Sequence, residues 1–241
     1  MAKGVFITGT DTGVGKTFFA CKLAALLSES GYRVGVMKPA ESGCVERQGR
    51  LYPEDAILLK EASASQDPLD KICPYQLREP LAPSVAAQRQ GITLEVDRLM
   101  DVYNEITSAH DITLVEGAGG LMVPLLPSYT YADLVRVLKL PVIVIAANRL
   151  GMINHLLLTL EHARCKGLRV LGYVLNRLES GVSLAAETNR EALSTLTAVR
   201  CAGELQFVAA SEESYNKAAH SFAEQFDLRI IDSVFCERPL R

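Results

Sequence analysis

No basic surplus marks this chain. Its formal net charge is −3 and no run of lysine or arginine stands out, which excludes the clustered cationic face that a nucleic-acid partner needs. Cysteine is sparse and scattered. The six thiols, at 21, 44, 73, 165, 201 and 236, form no Cys-x-x-Cys pair and no ligand spacing, so they read as reduced thiols, several of them small buried hydrophobes. Apolar runs stop well short of the roughly 18 to 20 residues that span a bilayer. Met1-Ala2-Lys3-Gly4 leads straight into an apolar strand, without a charged leader or a small-residue cleavage site, so a cytoplasmic protein with no membrane partner is expected. Repeats, low-complexity tracts and linkers are missing too, and 241 residues, about half of them apolar, suit one domain over 1–241. The few histidines offer no metal site: His155 and His162 share a predicted helix face but stand about 10 Å apart at the helical rise. No serine or cysteine sits beside a plausible base, which removes acyl hydrolysis.

What is present begins at residue 5. Val5-Phe-Ile-Thr-Gly-Thr-Asp-Thr-Gly-Val-Gly-Lys-Thr17 is an apolar strand, a glycine-rich turn and the start of a helix, the arrangement that cradles nucleotide phosphates on backbone N–H groups. Gly13 and Gly15 let the backbone close on phosphate, Lys16 reaches the β and γ oxygens, and Thr17 supplies a hydroxyl for magnesium. Phe19, Leu23, Leu26 and Leu27 recur at helical spacing behind the turn and anchor it to a core. Five residues separate Gly9 from Gly15, one more than the usual phosphate-loop spacing.

The remaining pattern alternates strand and helix. Strands are expected at 33–38, 112–116, 141–147, 168–175 and 203–208, and helices near 54–59, 95–109, 152–166, 184–198 and 213–225. This is a doubly wound, mostly parallel α/β sheet of the P-loop type. Residues 63–83, rich in Pro, Ser and Asp, read as a lid or pocket wall rather than core. In such sheets ligands sit beyond the carboxyl ends of the strands, which gathers Thr12–Thr17, Lys38, Glu116, Arg149–Asn154 and Asn176. A charged residue ending an apolar strand is costly without a partner, and phosphate and magnesium suit Lys38 and Glu116. Thr17, Asp55 and Glu116 meet the need of Mg2+ for hard oxygen ligands. The chemistry is phosphoryl transfer from a nucleoside triphosphate.

Thr8–Thr17, Lys38-Pro-Ala-Glu-Ser-Gly43, Asp55, Glu79-Pro80 with Pro83, Val115-Glu-Gly-Ala-Gly-Gly120 and Leu150-Gly-Met-Ile-Asn-His155 together resemble the dethiobiotin synthetase family, in which the five-residue loop spacing is usual. The resemblance runs through about Asn176 and more loosely beyond. It implies ATP-dependent closure of 7,8-diaminononanoate and carbon dioxide to dethiobiotin, through a carbamate and a carbamic–phosphoric anhydride, in a homodimer with substrate at the interface. Catalytic roles fall to Lys38, Lys16 and Thr12, and substrate contacts to Ser42, Gly151, Met152 and Asn154. Nucleotide contacts fall to Gly13, Val14, Gly15, Lys16, Thr17, Asp55, Glu116, Gly117, Ala118, Gly119, Asn176, Arg177, Gln206, Phe207, Val208 and Glu213. Gln206, Arg149 and Thr188 depart from residues that members often carry. The alternative from another class is a regulatory ATPase of the septum-placement or partition type, whose phosphate loop carries an extra lysine where this chain has Asp11.

Overall fold

The computed structural model describes residues 3–181, 183–208 and 219–234. Six strands form its central sheet: β1 (Gly4–Gly9), β2 (Val34–Met37), β3 (Ile112–Glu116), β4 (Val142–Ala147), β5 (Val170–Asn176) and β6 (Cys201–Leu205). They lie in the order β6-β5-β4-β1-β3-β2, and every pairing is parallel. The helices are α1 (Lys16–Glu29), α2 (Glu54–Ala62), α3 (Leu69–Ile72), α4 (Pro83–Gln90), α5 (Val96–Ala109), α6 (Tyr131–Leu138), α7 (Met152–Cys165) and α8 (Leu184–Leu196). A further helix, Ala219–Gln225, and a 3-10 turn, Leu228–Val234, follow.

Two cores, one on each face, explain why the strands are apolar without alternation. Val5, Ile7, Ile143 and Ile145 join Phe19, Leu23 and Leu27 of α1 together with Phe222 and Phe226. Their neighbours Phe6, Val142 and Val144 point the other way, into a cluster with Leu99 of α5, Tyr131 and Leu134 of α6, and Leu156 of α7. Side chains along a strand change face at each residue, so one apolar strand feeds both layers. All four apolar residues read behind the phosphate turn are buried in the first core. Because strand order reverses around β1, the crevice at the carboxyl ends of β1, β3 and β4 opens to ligand.

The differences from the expected elements are local. Residues 63–83 are not a cover over the site along their whole length: Ile72, Cys73 and Leu77 are fully buried, and Gln76–Leu77 pairs with Glu41–Ser42 in a short parallel ribbon. The polar composition of the segment hid these few anchors. The sequence pattern predicts none of α3, α4 and α6, since α3 is a single turn, α4 buries little beyond Pro83, Ala86 and Ala87 and α6 is only eight residues long. The last strand ends at Leu205, earlier than the apolar Phe207-Val208 suggested. Those two residues are partly exposed and face a cleft. Among the described residues no helix is long and apolar enough to cross a membrane.

Candidate active site

The phosphate turn is shaped by two glycines with left-handed backbone, Gly13 (φ 74°) and Gly15 (φ 91°). Gly15 has no freedom for a side chain in any case, since a Cβ there would lie 2.0 Å from Nδ2 of Asn176. That carboxamide donates to the carbonyl of Val14 at 3.0 Å, so the tip of β5 braces the turn that follows β1. Among the described residues none accepts a hydrogen bond from the amides of Gly13, Val14 or Gly15. These N–H groups sit at the positive end of α1 and suit an anion. Lys16 folds back over the turn, Nζ donating to the carbonyl of Asp11 at 3.0 Å. Burial lowers its pKa to about 8, with Glu116 pulling the other way.

The tips of β2 and β3 bring three charges together. Lys38 Nζ donates to Oδ2 of Asp55 and to Oε1 of Glu116, each at 2.6 Å, and Thr17 Oγ1 donates to the same Glu116 oxygen at 2.8 Å. Lys38 is 3% exposed and Glu116 1%. Burial works against charge on Lys38, but Glu116, Asp55 and Glu41 outweigh it and hold the ammonium well above its ordinary pKa. Burial also works against charge on Asp55, and there Lys38 wins, keeping its carboxyl below the usual range. For Glu116 burial wins over Lys38, and the carboxyl is pushed up.

Asp55 owes its place to Glu41, a residue the motif reading passed over. The carboxylate of Glu41 accepts the backbone N–H of Asp55 through Oε1 and that of Ala56 through Oε2, both at 3.0 Å. It thereby caps α2 from outside the helix, where Pro53 at the N-cap offers no side-chain acceptor. Burial, reinforced by Asp55, raises Glu41 to about 7. Its position inside Lys38–Gly43 was the available signal, but only the fold shows what it caps.

The donor set fits a magnesium ion. Oε2 of Glu116 is buried with no hydrogen-bond partner, an unusual cost, and the neighbouring oxygens are the hard kind that Mg2+ prefers. Among the described residues no group of three or more His, Cys, Asp or Glu could hold a metal. Two carboxylates and a hydroxyl are the smaller set expected when nucleotide phosphates and water complete the sphere.

One cleft of about 880 Å³ joins these groups. Thr12, Gly13, Gly15, Lys16, Thr17, Lys38, Ser42, Asp55 and Glu116 line it, as do Ala118, Gly119, Asn176, Arg177, Gln206, Phe207 and Val208. Its far wall is Pro80–Pro83, the one part of the 63–83 segment that does face the site.

Comparisons with known proteins identify the family and the fold. A family model described as an AAA domain matches residues 3–214. The ATP-dependent dethiobiotin synthetase BioD of Thermodesulfovibrio yellowstonii is 37% identical over 97% of this chain and 100% of its own. The chain belongs to the dethiobiotin synthetase family. The BioD of Bacillus licheniformis is 41% identical over 83% of this chain and 84% of its own. Among solved structures, the MinD cell division protein of Aquifex aeolicus aligns over 100% of both chains with a TM-score of 0.55, at 16% identity. That likeness shows the P-loop fold alone.

Some residues read from the dethiobiotin synthetase motifs fall outside the cleft. Val14 is buried at 2% and offers its carbonyl to Asn176. Gly117 packs against Phe6 and Tyr131, where a Cβ would come within 2.9 Å of the Phe6 ring. Gly151, Met152 and Asn154 do not line the cleft: Met152 is buried in the second core, while Gly151 and Asn154 are exposed at the start of α7. Glu213 lies outside the described residues. Phe18, Leu81 and Val123 line the cleft without having been singled out, apolar residues that no motif spacing distinguishes from core.

Proposed function

We propose that this chain closes the ureido ring of dethiobiotin from 7,8-diaminononanoate and carbon dioxide, converting ATP to ADP and phosphate. The observation that carries this reading is the meeting of Lys38, Asp55 and Glu116 with the phosphate turn in one cleft, in a chain whose full-length relative bears that activity in its name.

One amine of the substrate takes up carbon dioxide and loses a proton, giving a carbamate. A carbamate oxygen attacks the γ-phosphorus, the bond to the β-bridging oxygen breaks, and ADP leaves. The second amine then attacks the carbonyl carbon of the mixed anhydride and loses a proton, closing the ring as phosphate departs with its oxygen. Negative charge is the recurring obstacle. Lys16 and the free amides of Gly13–Gly15 hold the β and γ oxygens, and Lys38, Thr12 and Ser42 face the carbamate and the group in flight. Thr17, Asp55 and Glu116 would hold Mg2+, which would neutralise phosphate charge. Lys38 exchanges carboxylate partners for substrate oxygens, remaining protonated throughout. Asn176 meets the adenine at the Gln206–Val208 end.

The substrate's carboxylate tail reaches the start of α7 in a second copy of the chain, where Gly151–Asn154 present N–H groups. Leu150, 87% exposed beside them, supports such an interface. The ATP requirement and the free cysteines among the described residues support a cytoplasmic reaction carried out by one domain over residues 1–241. A regulatory ATPase is the weaker reading, because exposed Asp11 puts a carboxylate where a bridging lysine would stand.

The deciding experiment supplies purified protein with ATP, Mg2+, bicarbonate and 7,8-diaminononanoate and follows dethiobiotin by mass spectrometry. Product with stoichiometric ADP is expected. Nucleotide binding or hydrolysis without product rejects the ring-closing reading. A gel-filtration mass of one chain at micromolar concentration rejects the interface.

A further inference from the structure

Beyond Asn176 the cleft wall is fixed by Glu204, a residue of the Gly203-Glu-Leu stretch to which the motifs give no role. Glu204 stands in β6 opposite Leu175 of β5, with its side chain 16% exposed. Its Oε1 accepts from Nε of Arg177 at 3.2 Å, from Nη2 of Arg177 at 3.0 Å and from Nδ2 of Asn148 at 3.2 Å. One carboxylate oxygen therefore ties the loops after β4 and β5 to β6. Asn148 also donates to the carbonyl of Ala186 at 3.0 Å and accepts from Asn189 at 2.9 Å, so its arm of the network ends in α8. The arm through Arg177 ends in the cleft, beside Leu178 and Gln206.

That asymmetry has a chemical meaning. Arginine carries five N–H donors in a planar fork and loses much rotamer freedom when it is fixed. Here Nε and Nη2 are engaged, whereas Nη1 makes no hydrogen bond to the described residues. The neighbouring Nδ2 of Asn176 is already given to Val14. A guanidinium held in place in this way presents a flat cation with unspent donors, a partner for the face or the acceptor edge of a heterocyclic base. Holding it before the ligand arrives removes an ordering cost from binding.

We propose that Glu204 is a positioning residue for the nucleotide base and acts through Arg177. The inference rests on the ATP-binding reading above and adds to it the element that orients the base end.

A double-mutant cycle tests it, with ATP affinity measured by calorimetry and KM and kcat by dethiobiotin formation. Glu204→Ala is expected to weaken ATP binding and raise its KM about fivefold, with kcat held within about twofold. Arg177→Ala should weaken binding by at least as much, and the double variant by no more than Arg177→Ala alone. Asn148→Ala removes the other arm and should leave ATP affinity within about twofold while lowering the thermal midpoint. If Glu204→Ala does not fold, Glu204→Gln carries the same expectation with a smaller shift. Unchanged affinity in the Glu204 variants, independent penalties in the double variant, or an Asn148→Ala loss equal to that of Glu204→Ala would each overturn the proposal. Calorimetry needs no turnover, so wild-type protein that binds ATP but forms no dethiobiotin rejects the ring-closing reading alone.

Discussion

The two ends of the cleft handle buried polarity in opposite ways. At the Lys38 end, one ammonium serves two carboxylates at 2.6 Å each, and an oxygen of Glu116 is left buried without a partner. At the Arg177 end, Asn148, Asn189 and Glu204 are joined by hydrogen bonds between 2.9 and 3.2 Å, with Arg177 partly open to solvent. An incomplete polar cluster is expensive unless a ligand completes it. A completed one specifies shape. The difference separates a site built to exchange partners during a reaction from one built to hold a group still.

Removing the shared cation is the strongest way to break this contrast. Lys38→Ala should lower turnover by about a hundredfold to a thousandfold, the cost of one preorganised charge contact, with ATP affinity changed only a few-fold. Comparable losses in both would move Lys38 from catalysis to nucleotide binding. The same variant leaves Asp55 and Glu116 without their common counter-charge. Its unfolding free energy in urea should fall by about 3–5 kcal/mol, and Mg2+ should restore more stability to it than to wild type. A loss below about 1 kcal/mol would show that the two carboxylates do not depend on Lys38.

At the other end, Asn148→Ala should cost about 1–3 kcal/mol in the same measurement, because donors and acceptors buried around it lose a partner while no net charge is stranded. A loss as large as that for Lys38→Ala would erase the distinction between the two ends.

A capped helix away from both ends sharpens the scale. The carboxylate of Asp133 accepts from the backbone N–H and hydroxyl of Thr130 and from Lys166. Burial opposes charge there, but these partners prevail and lower the pKa to about 2. A depressed carboxylate pKa gives stability that is full above the unfolded value near 3.9 and lost as pH falls through the folded value. Asp133→Ala should therefore cost about 1 kcal/mol at pH 7 and at pH 5, with a narrower gap to wild type at pH 3. A gap that widens on acidification would contradict the capping role.

The smallest effect belongs to the solvent-facing pair Arg33–Asp111. Arg33 is 69% exposed and Asp111 39%, despite a 2.6 Å contact. Arg33→Ala should change stability by less than about 0.5 kcal/mol, and less again at high salt, as read from urea midpoints.

Much of this division was legible in the residue order. The phosphate turn, the strand tips bearing Lys38 and Glu116, and the apolar strands covered on both faces follow from period, glycine placement and the cost of ending an apolar strand in a charge. Other features were not legible, for identifiable reasons. Glu41 looks like any loop glutamate until α2 is seen to begin at its carboxylate. Glu204 sits in a partly buried edge strand, and nothing local marks it as the partner of residues 27 and 56 positions away. Residues 63–83 read as polar cover because anchors as sparse as Ile72, Cys73 and Leu77 make no periodic signal.

Residue order by itself determined that a strand, a glycine turn and a helix would present N–H groups, a lysine and a hydroxyl to phosphate, since backbone conformation and helix polarity are local properties. Which charge meets which was settled only by the packed sheet. Parallel strands place all their carboxyl ends on one side, and strand order decides which tips become neighbours. That is how Lys38 came to lie between Asp55 and Glu116, 17 and 78 residues away, and how Arg177 came to be held by Glu204.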